Sequence, residues 1–158
     1  MKSYRFATEK DIPLILKMIK ELAIYEKAEE RALATPEDVY ENVFNNKVAH
    51  VIFALNDEGK EVGFALYFYN YSTWTGKKGL YLEDLFVLVE HRHQGFGKYL
   101  IKTLAKIAVE ENCGRFEWQC LDWNQSSIDF YLSLGAVPMN GWTQYRLEGK
   151  AISDLINK

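Results

Sequence analysis

What is scarce in this chain narrows it first. Its 158 residues include two cysteines, three histidines and three prolines. Cys113 and Cys120 are not spaced as a CxxC pair, so reduced, structural thiols are expected. No run of Lys and Arg occurs and the net charge is −3, which excludes the clustered basic surface a nucleic acid demands. No apolar run approaches a membrane span, so no membrane partner is expected. The opening "MKSYRFATEKD" lacks the apolar stretch of a signal peptide, and a cytoplasmic location is expected. Linkers, repeats and low-complexity tracts are also missing, which predicts a single domain over 1–158. What remains is the composition of a soluble globular protein, 48% hydrophobic and 26% charged.

The patterning predicts an order of elements. "SYRFA" alternates as a short strand. Thr8 and Asp11 form a capping box before a helix whose buried face is Ile12, Ile15, Leu16, Ile19, Leu22 and Ala23. "TPEDVYENVF" predicts a second helix, capped by Thr35 with Pro36 in its first turn. "VAHVIFAL" and "VGFALYFYNY" form a hairpin around Gly59, and the apolar "GLYLEDLFVLV" reads as a central strand. A helix follows from about Gly95, with Tyr99, Leu100, Leu104, Ile107 and Ala108 as its buried stripe. Then come a strand "RFEWQCL", a helix capped by Asn124 and stopped at Gly135, a last strand "WTQYRLE" and a short helical tail. Antiparallel strands precede one parallel crossover, so the fold class is α/β, a mixed, mostly antiparallel sheet with helices on both faces.

The stretch "RHQGFGKYL" joins the central strand to the long helix. Gly95 and Gly97 allow close approach of a ligand to the backbone, and the N–H groups from Gln94 to Lys98 would face an anion. Arg92 and Lys98 add positive charge. As an isolated pattern it is also compatible with a plain strand-to-helix turn. It is not a dinucleotide fingerprint, because Leu100 stands where a third small residue belongs. Nor is it a P-loop, because Tyr99 follows Gly97-Lys98. His91 and His93 form an H-x-H pair, but no acidic or cysteine ligands gather around it; solvated loop residues and no metal are expected.

Together these segments resemble the GNAT superfamily of N-acetyltransferases. Its [RQ]-x-x-G-x-[GA] signature is matched by Arg92, Gly95 and Gly97. Its downstream pattern is matched by Asn124, Ser127, Phe130, Tyr131, Gly135 and Ala136. "LIKELAIYEKAEE", "YLEDLFV" and "WNQSSIDFYLSLGA" are similar to the diamine (spermidine/spermine) acetyltransferase branch, and the similarity spans nearly the whole chain. The resemblance implies acetyl-CoA as co-substrate and a homodimer with sites near its interface. It implies a pyrophosphate held by Arg92, His93, Gln94, Gly95, Phe96, Gly97 and Lys98. The adjacent strand would bulge, its backbone near Leu85, Phe86 and Val87 would pair with the pantetheine arm, and Asn124, Ser126, Ser127 and Tyr131 complete the implied cofactor set.

Acetyl transfer to an amine needs a deprotonated amine, a donor for the oxyanion and a proton for the leaving thiolate. The resemblance puts Tyr131 beside the thioester sulfur; a phenol near pKa 10 can protonate a thiolate. As a bare sequence feature, Tyr131 is equally an amphipathic-helix tyrosine packing its ring. Glu83 and Asp84 are carboxylates in an apolar strand, where charge must be paired or used. Adjacent strand residues face opposite sides, so only a bulge would aim both at one pocket. The resemblance assigns Glu83 to the amine as base or cation anchor, and Tyr25 and Glu26 to the amine channel. Glu29 and Glu30 read as a solvated helix face. Trp118 and Trp123 read as core and wall.

The amine itself is approached through "YSTW", Tyr71 to Trp74. Polyamine-specific members carry Tyr-Asp-Pro-Trp there, while the similar thialysine N-epsilon-acetyltransferases carry Ser-Thr-Trp. A lysine-like substrate brings its own carboxylate, to which Ser72 and Thr73 could donate hydrogen bonds, with Trp74 offering a cation–π face. The expected substrate is a small primary amine, thialysine- or lysine-like, acetylated directly in a ternary complex because no cysteine stands at a motif position. Alternatives are a diamine or polyamine acetyltransferase, a protein or peptide acetyltransferase, and a non-catalytic acetyl-CoA-binding module.

Overall fold

Three consecutive strands, β2 (His50–Leu55), β3 (Glu61–Ser72) and β4 (Lys77–Val87), form an antiparallel meander that frames the chain. β1 (Ser3–Phe6) joins one edge antiparallel, and β5 (Arg115–Trp118) joins the other in parallel, giving the order β1-β2-β3-β4-β5. This is the mostly antiparallel sheet with one crossover that the patterning predicts. The computed structural model describes all of residues 1–158 and divides them into two units, Met1–Gln119 and Cys120–Lys158.

In the first unit, strand alternation separates two apolar faces. Val51, Phe53, Phe64 and Phe86 pack with Ile15, Met18 and Leu22 of α1 (Ile12–Tyr25) and Val39 of α2 (Pro36–Val39). Met18 lies outside the predicted stripe. Ile52, Ala65 and Leu80 alternate to the other side, and α3 (Phe96–Glu110) packs there against β2, β3 and β4 through a buried stripe containing Leu100, Leu104, Ile107 and Ala108. Tyr99 is only half-buried.

The caps fall where the sequence places them. The Thr8 N–H donates to Asp11 Oδ2 at 2.7 Å, and the Asp38 N–H donates to Thr35 Oγ1 at 3.2 Å. The Thr8 box leads into α1 through a 3-10 turn, Glu9–Asp11. The second helix departs from expectation. After Val39 it widens into a π-helical turn, Tyr40–Asn45. Asn42 Nδ2 donates to the Asp38 carbonyl at 2.9 Å, taking the acceptor that an α-helical N–H would use.

The second unit holds α4 (Gln125–Ser133) and α5 (Lys150–Leu155). Asn124 Oδ1 accepts from the Ser127 N–H at 3.3 Å, and Gly135 turns left-handed at φ 86°, as expected for a capped and stopped helix. The strand predicted over 142–148 is not formed. Alternation alone does not make a strand; a ladder needs a partner, and no strand lies within Cys120–Lys158.

One ion-pair network ties β1, the start of α1 and β3 together. Arg5 donates to both carboxylate oxygens of Asp11 at 2.7 and 2.8 Å and to Glu61 at 2.7 and 3.0 Å, with its guanidinium 4.9 Å over the Phe53 ring. The Arg5 bond, with help from Thr8, holds the Asp11 carboxyl at about 2. Its stabilisation is complete above the ordinary carboxyl value of 3.8 and is lost as pH falls through about 2. Arg5→Ala is expected to lower stability at neutral pH by about 1–2 kcal/mol, since the pair is partly exposed. Thermal melts of both proteins should converge toward pH 2.

Candidate active site

The register of the β3–β4 pair slips by one residue in mid-strand. Leu66 pairs with Asp84, but the next residue, Tyr67, pairs with Leu82, leaving Glu83 as an extra residue. This bulge has a consequence for charge. Leu82 faces the α3 side, so Glu83 alternates to the α1 side. The extra residue resets the alternation, and Asp84 then shares the α1 side with its partner Leu66, which packs on the α1 core. Both carboxylates therefore turn to one face, the arrangement that strand geometry forbids without a bulge.

The last turn of α1 brings a third. Tyr25 ends the helix and Glu26 is its C-cap residue, its N–H donating to Leu22 O at 2.9 Å. Desolvation and then the charge of Glu83 hold the Glu26 carboxyl above its usual range. Asp84, half-buried, is pushed up to about 7, first by burial and then by Glu83 and Glu26. Three like charges at this end of α1 favour a cation among them and a retained proton on Asp84. Glu83 itself is exposed.

The glycine loop has the features that an anion needs. Gly95 is left-handed at φ 81° and serves as N-cap of α3 with no side-chain cap bond. The Phe96, Gly97 and Lys98 N–H groups therefore have no intrahelical acceptor. A Cβ built on Gly97 meets nothing within 4 Å, so the approach is open. Sequence reasoning missed one residue here. Lys2 Nζ stands 5.1 Å from the Phe96 ring centroid and 3.8 Å from where a Gly95 Cβ would be. A lone lysine just before β1 carries no spacing signal that could have revealed it.

The edge of β4 beside the loop is also available. The β4–β5 ladder ends at Leu82↔Trp118, so no strand pairs with Leu85, Phe86 and Val87 on that side. The outward backbone groups left there, apart from the Val87 carbonyl that accepts from Arg92 Nε, can take an extended ligand as an added strand. The uncapped helix start, the open glycine and the free edge together fit the pyrophosphate and arm of coenzyme A.

Arg92 turns its side chain toward β4 and the end of α1. Its Nε donates to Val87 O at 3.1 Å, and its guanidinium carbon lies 4.6 Å from the Tyr25 ring and 5.2 Å from the Phe86 ring. His93 is exposed and left-handed at φ 60°, and Gln94 Nε2 donates to Glu90 O at 3.2 Å.

Ser72, Thr73 and Trp74 do not join the carboxylates within one chain. They sit at the β3–β4 turn, five residues along β3 from Tyr67, roughly 17 Å away at strand rise. Ser72 is buried, and its Oγ accepts from the Trp74 and Thr75 N–H groups at 3.2 and 3.3 Å, an ordinary serine turn. Thr73 and Trp74 are exposed, Trp74 by 84%. In the second unit, Tyr131 is half-buried on α4 with its ring 5.3 Å from Phe130. Ser126 is exposed on the first turn, and Asn124 and Ser127 are joined by the cap bond.

Known proteins share this framework. Residues 17–136 match the model of the acetyltransferase (GNAT) family. The chain is 39% identical over 165 residues to a thialysine N-epsilon-acetyltransferase of Sus scrofa, covering 98% of this chain and 96% of that protein. It is 30% identical to an L-ornithine N5-acetyltransferase of Arabidopsis thaliana, over 94% of this chain and 85% of that one. Among solved structures, an integron cassette protein from the mobile metagenome of V. cholerae superposes with a TM-score of 0.81 at 28% identity, covering 99% and 98% of the two chains.

The raised Asp84 carboxyl makes a testable statement about stability. The folded chain keeps a proton that the unfolded chain releases between 3.8 and about 7, so the burden of this group grows as pH rises through that window. Asp84→Asn is expected to raise the melting temperature more near pH 8 than near pH 5, with no gain below the ordinary value of 3.8. Equal gains at all pH values would remove Asp84 as the titrating group.

Proposed function

The chain belongs to the GNAT family of acetyltransferases and is an N-acetyltransferase, and from that premise we propose that it moves the acetyl group of acetyl-CoA to a small cationic primary amine. The preferred acceptor is thialysine- or lysine-like, and transfer is direct within a ternary complex. The observation that carries this reading is the gathering of Glu26, Glu83 and Asp84 at the β4 bulge. Such a pocket draws an ammonium and offers an acceptor for the proton it must lose.

In this reading Glu83 receives the amine. Asp84, near 7, lies in the range where a carboxylate can take a proton at neutral pH. Acetyl-CoA would supply the acetyl group, and coenzyme A would depart as a thiolate when the carbon–sulfur bond breaks. Tyr131 gives that thiolate a proton. The unpaired N–H groups at the start of α3 and the β4 edge at Leu85, Phe86 and Val87, beyond the end of the β5 ladder, hold the cofactor. Residues 1–158 act as one catalytic domain, consistent with a family match that runs from 17 to 136 across both units.

The acceptor preference rests on Ser72 in place of an acid and on relatives named for thialysine and ornithine, both amino acids with a terminal amine. Ser72 is buried, which leaves the exposed Thr73 as the better-placed donor to a substrate carboxylate. The chain works as a homodimer in the cytoplasm. A turn roughly 17 Å from Glu83 at strand rise is what one chain would show if a second copy completes the amine site. Diamines and polyamines are the runner-up acceptors.

Acetyl-CoA consumption with thialysine, lysine, putrescine and spermidine tests the ranking. The highest kcat/KM is expected for thialysine, and a strong preference for spermidine would overturn it. Tyr131→Phe is expected to lower kcat by about 100-fold, the scale of a missing general acid, while acetyl-CoA still binds. Unchanged turnover would take Tyr131 out of the reaction.

A further inference from the structure

Arg92 opens the glycine loop, yet its side chain reaches toward the amine side of β4. Three neighbours define it: the Val87 carbonyl at 3.1 Å, the Tyr25 ring at 4.6 Å and the Phe86 ring at 5.2 Å. A guanidinium face held against aromatic rings is fixed in both position and plane. Its main chain is tied as well, with the Arg92 N–H donating to Val89 O at 3.2 Å.

Both ends of this bridge matter. Tyr25 is the last residue of α1, and Glu26 follows as its cap, after which Lys27 turns left-handed at φ 59°. No hydrogen bond or ion pair from the Glu26 side chain holds that carboxylate, whose neighbours Glu83 and Asp84 repel it. Phe86 and Val87 lie on β4 just beyond Asp84. Arg92 thus bridges the end of α1 to the strand that carries the other two carboxylates, against their mutual repulsion.

We propose that Arg92 is a positioning residue for the amine site. It holds the Tyr25–Glu26 turn against β4, so that Glu26 stays opposite Glu83 and Asp84, and it links the cofactor loop to the acceptor pocket. This inference rests on the acetyltransferase reading above. It departs from the expectation that Arg92 is a phosphate ligand.

The test compares Arg92→Ala, Arg92→Lys, Tyr25→Leu and the Arg92→Ala/Tyr25→Leu double variant. Acetyl-CoA affinity is measured by titration calorimetry, and KM and kcat are measured for the best amine of the panel. Arg92→Ala is expected to raise the amine KM about tenfold while acetyl-CoA affinity changes by less than about threefold, since the substitution removes a stacked cation. Arg92→Lys should not restore it, because an ammonium has no plane to stack. Tyr25→Leu should raise the amine KM similarly, and the double variant should be no worse than either single one. An acetyl-CoA affinity loss of about tenfold with an unchanged amine KM would overturn the inference and return Arg92 to the phosphates. Multiplying effects in the double variant would also overturn it. If Arg92→Ala does not fold, Tyr25→Leu decides, and an unchanged amine KM there refutes the proposal. Failure of the wild-type chain to bind acetyl-CoA would instead remove the acetyl-CoA reading on which this inference rests.

Discussion

One extra residue in β4 decides where the negative charge of this fold is concentrated. A regular strand would send Glu83 and Asp84 to opposite faces, one beneath α1 and one beneath α3. The register slip between Leu66 and Tyr67 turns both to the α1 side, where Glu26 completes the group. Burial there makes Asp84 retain a proton to about 7. The same displacement on a different face would put a carboxylate against the apolar stripe of α3.

β4 also joins the two halves of the candidate site. Its middle carries the carboxylates, and its end, freed from β5 after Leu82, offers an unpaired edge next to the glycine loop. The loop then feeds α3, whose uncapped start leaves N–H groups for an anion. A donor lying along that edge and an acceptor drawn by the carboxylates would meet over a few residues of one strand. Rigid backbone, rather than mobile side chains, sets that distance. Arg92 continues the logic by bracing the end of α1 against this strand.

Much of this was legible because it is written locally. The Thr8–Asp11 and Thr35–Asp38 caps, the meander and the glycine loop depend on neighbours within a few residues. Misreadings came where a local pattern lacked its distant partner. "WTQYRLE" alternates as a strand should, but nothing in its unit pairs with it. Asn42 looked like an ordinary helix residue until its amide took the Asp38 carbonyl. "YSTW" keeps its proposed part in acceptor choice, but its distance from Glu83 within one chain follows from the length of β3 and not from any short segment.

The sequence by itself determined the fold class, the family and the residue types of the candidate site, because periodicity, caps and motif spacing are properties of short segments. Only the tertiary structure decided which of those residues share a face. The bulge at Glu83, the inward turn of Arg92 and the arrival of Lys2 at Gly95 all join residues distant in sequence or depend on a pairing register. Register and packing are settled by the whole sheet at once, and no window of the chain contains them.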